Sequence, residues 1–244
     1  MRRSTIPIGL LSLAIMLCAC RKNPPSPPAP KSTAYGSAIV ESSGGKQIAA
    51  AGTTLPQPVV VQVNDDAGTA VAGALVVFRG PAGVSFDPPS GITDSSGQFS
   101  TSVSLGGQAG RYQITASTMT KSQKTAELRV DEIALDYQQA FGRQLNDQYC
   151  SRCHDPESTP ERVSNYDNLE VKPHPFTEGD TLNKISDEDL LAIITHGGPA
   201  LNRSPLMPPY GYTLSKSDIQ ALISYIRIVS DPPYQAFGEV YAQK

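Results

Sequence analysis

"PVVVQVNDDAGTAVAGALVVFRG", residues 58–80, contains two short runs of apolar side chains separated by turn residues. Both runs are short and rich in Val, with Leu and Phe in the second, which is typical of β-strands, and we expect a period of two that places every second side chain on one face. The "DDAG" between the runs is a turn signal, because Asp and Gly adopt the backbone angles that tight turns need. This stretch therefore predicts two strands joined by a turn.

The same pattern continues along the chain in "GQFSTSVSL" (97–105), "GRYQITAST" (110–118) and "KTAELRV" (124–130). Glycine- and proline-rich turn signals such as "GPAG", "DPPSG", "DSSG" and "GGQAG" separate the runs. Several short strands at this spacing are typical of an antiparallel β-sandwich, which we predict over residues 45–130. No cluster of ionisable side chains in this segment has the composition of a catalytic site.

The segment "VQVNDDAGTAVAGALVVF…GITDSSGQFSTSVSLGGQAGRYQITAS" resembles bacterial Ig-like domains of the intimin/invasin type. The resemblance covers about 85 residues and rests on strand and turn pattern. It implies an Ig-like fold, and a role as a spacer or docking module rather than an activity.

The segment before the sandwich has the features of an export signal. A basic start precedes "IPIGLLSLAIML" (6–17), an apolar run too short to span a bilayer as a helix. Leu17, Ala19 and Cys20 then occupy the positions of a bacterial lipobox. We therefore expect a lipoprotein signal peptide over residues 1–19 and lipidation of Cys20. The alternative is an ordinary cleaved signal peptide.

Residues 20–44 are rich in Pro, Ser and Lys and have little to bury, so they predict an extended lipidated linker. The expected location is the bacterial cell envelope, where the Cys20 anchor holds the protein on a lipid membrane facing the periplasm or the exterior. Arg21 is not the aspartate associated with inner-membrane retention, so we expect the outer membrane in a Gram-negative host.

After Asp131 the apolar period changes to four, which predicts an amphipathic helix. Its expected apolar positions are Ile133, Tyr137, Phe141, Leu145 and Tyr149. Residues 155–185 are polar and contain prolines, which indicates loop.

Two more helices are predicted nearer the C-terminus. Ser186 followed by acids starts one helix, and "HGG" (196–198) ends it. Ser215 with Asp218 three residues later starts the other. The expected buried face of this last helix comprises Ile219, Leu222, Ile223 and Ile226. Residues 231–244 are expected to form an irregular tail.

"CSRCH" contains Cys150, Cys153 and His154 at the Cys-x-x-Cys-His spacing of covalent haem c attachment. In an exported chain whose other two cysteines lie at 18 and 20, this pair predicts one covalently bound haem. Two alternatives stay open at this point. One is a zinc ion completed by His174 or His196, and the other is a redox disulfide of the thioredoxin kind.

A haem iron held by His154 has a sixth position, for which the mature chain offers few candidates. Met207 lies in the proline-stiffened "SPLMPPYG", and a preorganised loop helps to keep a weak thioether ligand on iron. The alternatives are His196 and an open site, whereas Met119 falls in the predicted sandwich. We therefore predict His154 and Met207 as the axial iron ligands.

Residues 131–230 resemble a class I monohaem cytochrome c in "AFGRQLNDQYCSRCH", "LLAIITHGGPA", "SPLMPPYG" and "LSKSDIQALISYIR", in that order. The resemblance implies an all-α domain in which the first and last helices cross near Gly142 and Tyr225. Asn146, and the lack of a glycine after His154, depart from the family pattern. The predicted fold class is thus multidomain, an all-β Ig-like sandwich followed by an all-α class I cytochrome c domain.

Charge restricts the partners. From residue 131 onward, acidic side chains outnumber basic ones by 17 to 9, so nucleic acid is not an expected partner. A redox protein with a basic docking patch fits this charge, and the alternative is an acidic face that is simply solvated. The predicted function is a membrane-tethered electron carrier and not an enzyme. The alternative is a haem-containing sensor or enzyme subunit with a labile sixth ligand.

Overall fold

The computed structural model describes residues 32, 34–159 and 162–236. Within these residues, nine strands form two sheets, with the orders β1-β3-β7-β5 and β2-β9-β8-β4-β6. The strands are β1 (Ala38–Ser43), β2 (Ile48–Ala50), β3 (Val59–Asn64), β4 (Leu75–Arg79), β5 (Ser85–Asp87), β6 (Ser90–Ile92), β7 (Gln98–Ser104), β8 (Gly110–Met119) and β9 (Thr125–Leu135).

The two sheets enclose a hydrophobic core, as the alternating sequence pattern predicts. Val59, Val61 and Val63 of β3 are fully buried, while the residues between them are partly exposed. Among the described strands the pairings are antiparallel except for β2 against β9. The predicted all-β sandwich is therefore confirmed.

Several strands were not predicted from the sequence. β1 lies within the stretch that we expected to be linker, and it pairs with β3 through Ala38 opposite Asn64. β2, β5 and β6 have three residues each, too few for an alternation pattern to emerge.

The C-terminal part of the described chain contains five α-helices, one π-helical segment (Asn146–Cys150) and two 3₁₀ turns (Tyr166–Asn168 and Gly198–Leu201). The α-helices are α1 (Tyr137–Leu145), α2 (Ser151–His154), α3 (Gly179–Leu182), α4 (Asp187–His196) and α5 (Lys216–Val229).

The prediction of an all-α class I cytochrome c domain over residues 131–230 is wrong. This region begins inside strand β9, and α2 and α3 are single turns of four residues. Much of the described part of residues 155–178 is not helical, because this polar, proline-containing stretch makes local turns instead of helical hydrogen bonds. The region is a small set of short helices joined by irregular segments and packed on a sheet.

The last residues of β9 are buried on both faces. Val130 and Ala134 belong to the sandwich core, whereas Ile133 and Leu135 pack against Tyr225 of α5. A strand covered on both faces reads as a continuous apolar run, so the four-residue spacing from Ile133 to Tyr137 was misleading. The predicted division of the chain at residues 130/131 falls inside this strand.

Helix α1 starts only after this strand. Asp136 caps it, accepting a hydrogen bond of 2.7 Å from the backbone N–H of Gln139. Tyr137 is 90% exposed and Phe141 is 36% exposed, so the predicted apolar face of this helix is wrong at both positions. The buried residues of α1 are Gly142 and Leu145.

The two later helices are confirmed. The Ser186 side chain caps α4, which ends at His196 before two glycines. Ser215 and Asp218 form a capping box at the start of α5. The four predicted apolar positions of α5 are all buried.

Helices α1 and α5 cross at Gly142, as predicted. A Cβ atom at this position would lie 2.1 Å from the Ala221 carbonyl oxygen and 2.9 Å from Cβ of Tyr225. The absence of a side chain lets the two backbones approach closely, and this contact fixes the end of α1 that leads to Cys150.

We expect Gly142→Ala to destabilise the protein by about 1–3 kcal/mol, because the added methyl group overpacks the crossing. Alanine is otherwise favoured over glycine inside a helix by about 1 kcal/mol, so Gly142→Ala would stabilise the protein if there were free space at this position. Urea unfolding measures the change. Gly107→Ala is the matched control, because a Cβ there has no neighbour within 4 Å. Equal stability of the two variants would contradict the close crossing.

Glu132 is a buried carboxyl group in the sandwich. Its side chain has no exposed area, and Oε2 accepts a hydrogen bond of 2.6 Å from the backbone N–H of Gln47. Among the described residues, Oε1 has no hydrogen-bond partner. Burial raises the pKa of Glu132 to about 7, and the nearby carboxylates of Glu41 and Asp131 add to this, while the bond from Gln47 opposes it.

We expect this group to make the protein less stable as the pH rises from 4.5 to about 7, because the folded state binds the proton more tightly than the unfolded chain. The expected loss across this window is roughly 3 kcal/mol. Above pH 7, Glu132→Gln should therefore be more stable than the wild type, and the advantage should vanish at pH 4.5. Urea unfolding across this pH range measures it.

Glu127→Gln, an exposed carboxyl change on the same strand, is the control and should leave the pH dependence unaltered. If the difference in unfolding free energy between the wild type and Glu132→Gln is the same at pH 4.5 and pH 7, Glu132 does not have the raised pKa assigned to it.

Candidate functional site

The Cys-x-x-Cys-His residues lie where α1 passes through a π-helical segment into α2. Cys150 ends the π-helical segment and is buried, while Cys153 and His154 are on α2 and partly exposed. The Ser151 hydroxyl donates a hydrogen bond of 3.1 Å to the Asp147 carbonyl oxygen, which ties α2 to the preceding turn. The end of the π-helical segment and the short helix α2 together therefore present two thiols and one imidazole.

The His154 ring is held from outside its own helix. Its Nδ1 lies 2.8 Å from the carbonyl oxygen of His174. A carbonyl oxygen only accepts, so Nδ1 carries the hydrogen and Nε2 keeps its lone pair. The ring also packs against Phe176, with 4.7 Å between the centroids. Burial lowers the pKa of His154, although the bond to His174 opposes this, so the ring is held in the neutral, metal-ligating form.

The loop that supplies this carbonyl has its own hydrogen bonds. Nδ1 of His174 lies 3.0 Å from Oε2 of Glu178, and the Thr181 hydroxyl donates to Oε1 of Glu178 at 2.7 Å. The bonds from Thr181 and His174 lower the pKa of Glu178, which keeps it ionised. The His174 imidazole is thereby engaged by its own loop.

A cavity of about 500 Å³ lies beside these residues and is lined mainly by apolar side chains. This volume is in the range of cofactor sites, which is roughly 300–1,000 Å³. Helices α4 and α5 supply much of its wall, through Leu190, Ile193, Ile194, Leu222 and Ile226.

The cavity brings together four of the predicted site residues, Cys150, Cys153, His154 and Met207. Of the alternative sixth ligands, His196 lies at the end of α4 and lines a different cleft with Glu188 and Ile219. Met119 ends β8 in the sandwich and is exposed. The Met207 ligation itself stays a prediction.

The loop that carries Met207 is fixed to the rest of the site. The backbone N–H of Gly198 donates to the Met207 carbonyl oxygen at 3.0 Å. The Tyr210 hydroxyl donates to the carbonyl oxygen of Tyr149 at 2.9 Å, and the two rings meet edge to face. These bonds join the Met207 loop to the residue immediately before Cys150.

The chemistry of the two thiols does not favour the alternatives to haem. Both cysteines are free, and burial raises the pKa of Cys150 to about 12, with Cys153 adding a small contribution. Within residues 32, 34–159 and 162–236, no group of three or more His, Cys, Asp or Glu side chains is arranged to hold a metal ion. In this part of the chain, zinc therefore lacks the ligand set that a closed site requires.

The residues fit a covalently bound haem. The apolar wall would suit the macrocycle, and Cys150 and Cys153 line the same cavity as His154, whose Nε2 could bind iron, and Met207, which could supply a thioether. Three cations, Lys172, Lys184 and Arg203, also line the cavity, and no carboxylate of the described residues does so.

Sequence reasoning missed three contributors to this site, namely the His174 carbonyl, Phe176 and Tyr210. A backbone carbonyl leaves no trace in residue type, and Phe176 lies in a stretch without periodicity. Tyr210 belongs to the motif "SPLMPPYG", but its hydroxyl bonds to a carbonyl oxygen 61 residues earlier in the chain, and this contact has no signal in the sequence.

Comparison with protein families finds a match to cytochrome c oxidase, cbb3-type, subunit III, over residues 138–226. The matched segment runs from α1 into α5 and spans less than half of the chain. A sequence search of curated proteins finds no match.

Among solved structures, the chain is similar to the D00-D0 domain of intimin, with a TM-score of 0.34 and 17% identity. That match covers 46% of this chain and 52% of the other. Invasin, a bacterial integrin-binding protein, matches with a TM-score of 0.32 and 21% identity over 40% of this chain and 19% of the other. The chain thus spans about half of the intimin structure and about a fifth of invasin. The sandwich assignment rests on its own strand pairings.

Cys20 and the predicted signal peptide, residues 1–19, lie outside the described residues. In the part of the chain that the structure describes, no helix has both the length and the apolar character to cross a membrane. The family match and the sandwich together support the predicted order, in which a cytochrome c domain follows an Ig-like domain.

Proposed function

We propose that this chain is a c-type cytochrome that carries single electrons on one covalently bound haem c. The observation that carries the proposal is the apolar cavity to which Cys150, Cys153, His154 and Met207 all contribute. The similarity of residues 138–226 to a cytochrome family supports the same conclusion.

Each residue would have a distinct role. The thiols of Cys150 and Cys153 would add across the two vinyl groups, so that the cofactor could not dissociate outside the cell. His154 would ligate through Nε2, because Nδ1 is engaged with the His174 carbonyl oxygen. Met207 would provide the sixth ligand, and the apolar wall would exclude water. The haem supplies one-electron chemistry when bound, and His/Met ligation gives it a raised reduction potential.

The partner in this proposal is another redox protein. The acidic excess after residue 130 suits a basic docking patch on that partner. Such a patch would bind away from the cavity lining itself, because the charged side chains there are Lys172, Lys184 and Arg203.

A lipid anchor at Cys20 is also proposed, with the residues between Cys20 and strand β1 leading from the membrane to the sandwich. The lipobox residues Leu17 and Ala19 support it, and Arg21 supports the outer membrane of a Gram-negative envelope. The Ig-like domain would then separate the haem from the membrane or dock onto a larger oxidoreductase.

We expect the exported chain, co-expressed with haem-attachment machinery, to gain the mass of one haem and to show a low-spin reduced spectrum. Met207→Ala should lower the reduction potential and allow rapid carbon monoxide binding, since the sixth position opens. His196→Ala is the control and should change neither property, because His196 lines a different cleft.

A chain without covalent haem would end this proposal. Rapid carbon monoxide binding to the wild type would instead favour a sensor or enzyme subunit with a labile ligand. A spectrum altered by His196→Ala and not by Met207→Ala would reject Met207 as the ligand.

We expect labelled palmitate to enter the wild-type protein and not Cys20→Ala, because only the Cys20 thiol follows the small residue that lipoprotein processing requires. Cys18→Ala is the matched control and should be labelled normally. Labelling of Cys20→Ala would contradict the anchor.

A further inference from the structure

We propose that the Ig-like sandwich is a working part of the haem site, because it holds the loop that orients His154. The inference rests on the proposed function, in that it takes His154 as the iron ligand. Two separate sets of contacts connect the sandwich to the loop that bears the His174 carbonyl, one apolar and one polar.

The apolar contact runs through Phe176. On one side, Phe176 packs against the cluster in which Ile133 and Leu135 of the sandwich strand β9 meet Tyr225 and Val229 of α5. On the other side, its ring lies 4.7 Å from the His154 ring, centroid to centroid. One aromatic side chain therefore links the proposed iron ligand to the cluster that joins the sandwich to α5.

The polar contact starts at Arg111 of β8. Its guanidinium Nη2 donates a hydrogen bond to the carbonyl oxygen of Ser230, just after α5. The next residue, Asp231, donates its backbone N–H to the Thr177 carbonyl oxygen at 2.8 Å and accepts from the Gly179 N–H at 2.9 Å. The sandwich thereby fixes the segment that pairs with residues 177–179, directly after the loop.

The segment between α2 and α3 needs such support. Apart from one 3₁₀ turn and isolated bridges, its described residues have no regular structure of their own. The His174 carbonyl oxygen at 2.8 Å from Nδ1 of His154 must nevertheless stay in place. A partner on the second nitrogen of a metal-ligating histidine fixes the ring and raises its basicity. Arg111 and Phe176 are thus positioning residues for His154.

Arg111→Ala tests the polar contact in the full chain. We expect hydrogen exchange at the Gly179 and Asp231 amides to accelerate by about tenfold or more, since the segment that they pair loses its tie to β8. In the haem-loaded protein, the reduction potential should rise, because a weaker bond from Nδ1 makes His154 a poorer electron donor to iron.

Arg129→Ala is the matched control, an exposed arginine on β9, and should change neither quantity. Arg111→Lys keeps one donor and should give values between those of Arg111→Ala and the wild type. Should Arg111→Ala fail to fold, Arg111→Lys and Phe176→Leu decide, and each is expected to raise the potential.

The inference is overturned if Arg111→Ala keeps the exchange rates and the reduction potential of the wild type. The same holds if Arg111→Lys and Phe176→Leu both keep them. The hydrogen-exchange measurement does not require haem. If the chain binds no haem, the proposed function fails, but the exchange rates still show whether Arg111 holds the segment that pairs with residues 177–179. Faster exchange without a change in potential would reduce Arg111 to a stabilising residue and also overturn the inference.

Discussion

The burial of the end of β9 on both faces is the constraint on which the rest of the molecule depends. Val130 and Ala134 on one face belong to the core of the sandwich, and Ile133 and Leu135 on the other belong to a cluster with Tyr225 and Val229 of α5. Phe176 packs against that cluster. Exposing either face would return apolar area to water, at about 25 cal/mol per Å². Because Asp136 caps α1 immediately afterwards, no linker separates the two parts of the chain. The helices therefore start from a fixed position on the sheet.

The site follows from that fixed start. Helix α1 crosses α5 at Gly142 and delivers Cys150, Cys153 and His154 to one wall of an apolar cavity, while the Met207 loop reaches the same cavity along a separate path. The imidazole is neutral and its Nδ1 is engaged, which leaves Nε2 for a ligand. In the proposed haem site, the hydrogen bonds of the Met207 loop would give a weak thioether ligand a preset position.

Features that depend on residues close together in the chain could be predicted from the sequence. Val59, Val61 and Val63 alternate, Ser215 pairs with Asp218, and Cys150, Cys153 and His154 share one short motif, so each could be predicted. Features that depend on distant partners could not. Ile133 continued a helical period but is held as strand by pairing with Arg111 and Ile48. The same holds for the loop of His174 and Phe176, whose structure comes from contacts with the sandwich and with Asp231. The all-α expectation failed for this reason.

X-ray absorption at the iron K edge, on the purified full chain in its oxidised form, tests directly whether the cavity holds a haem ligated by His154 and Met207. We expect one iron per chain, coordinated by four porphyrin nitrogens, one imidazole nitrogen and one thioether sulfur. Replacing Met207 by alanine should remove the sulfur and leave the imidazole. A protein without iron, or an iron shell that lacks sulfur in the wild type, would contradict the assignment of the cavity as a His154/Met207 haem site.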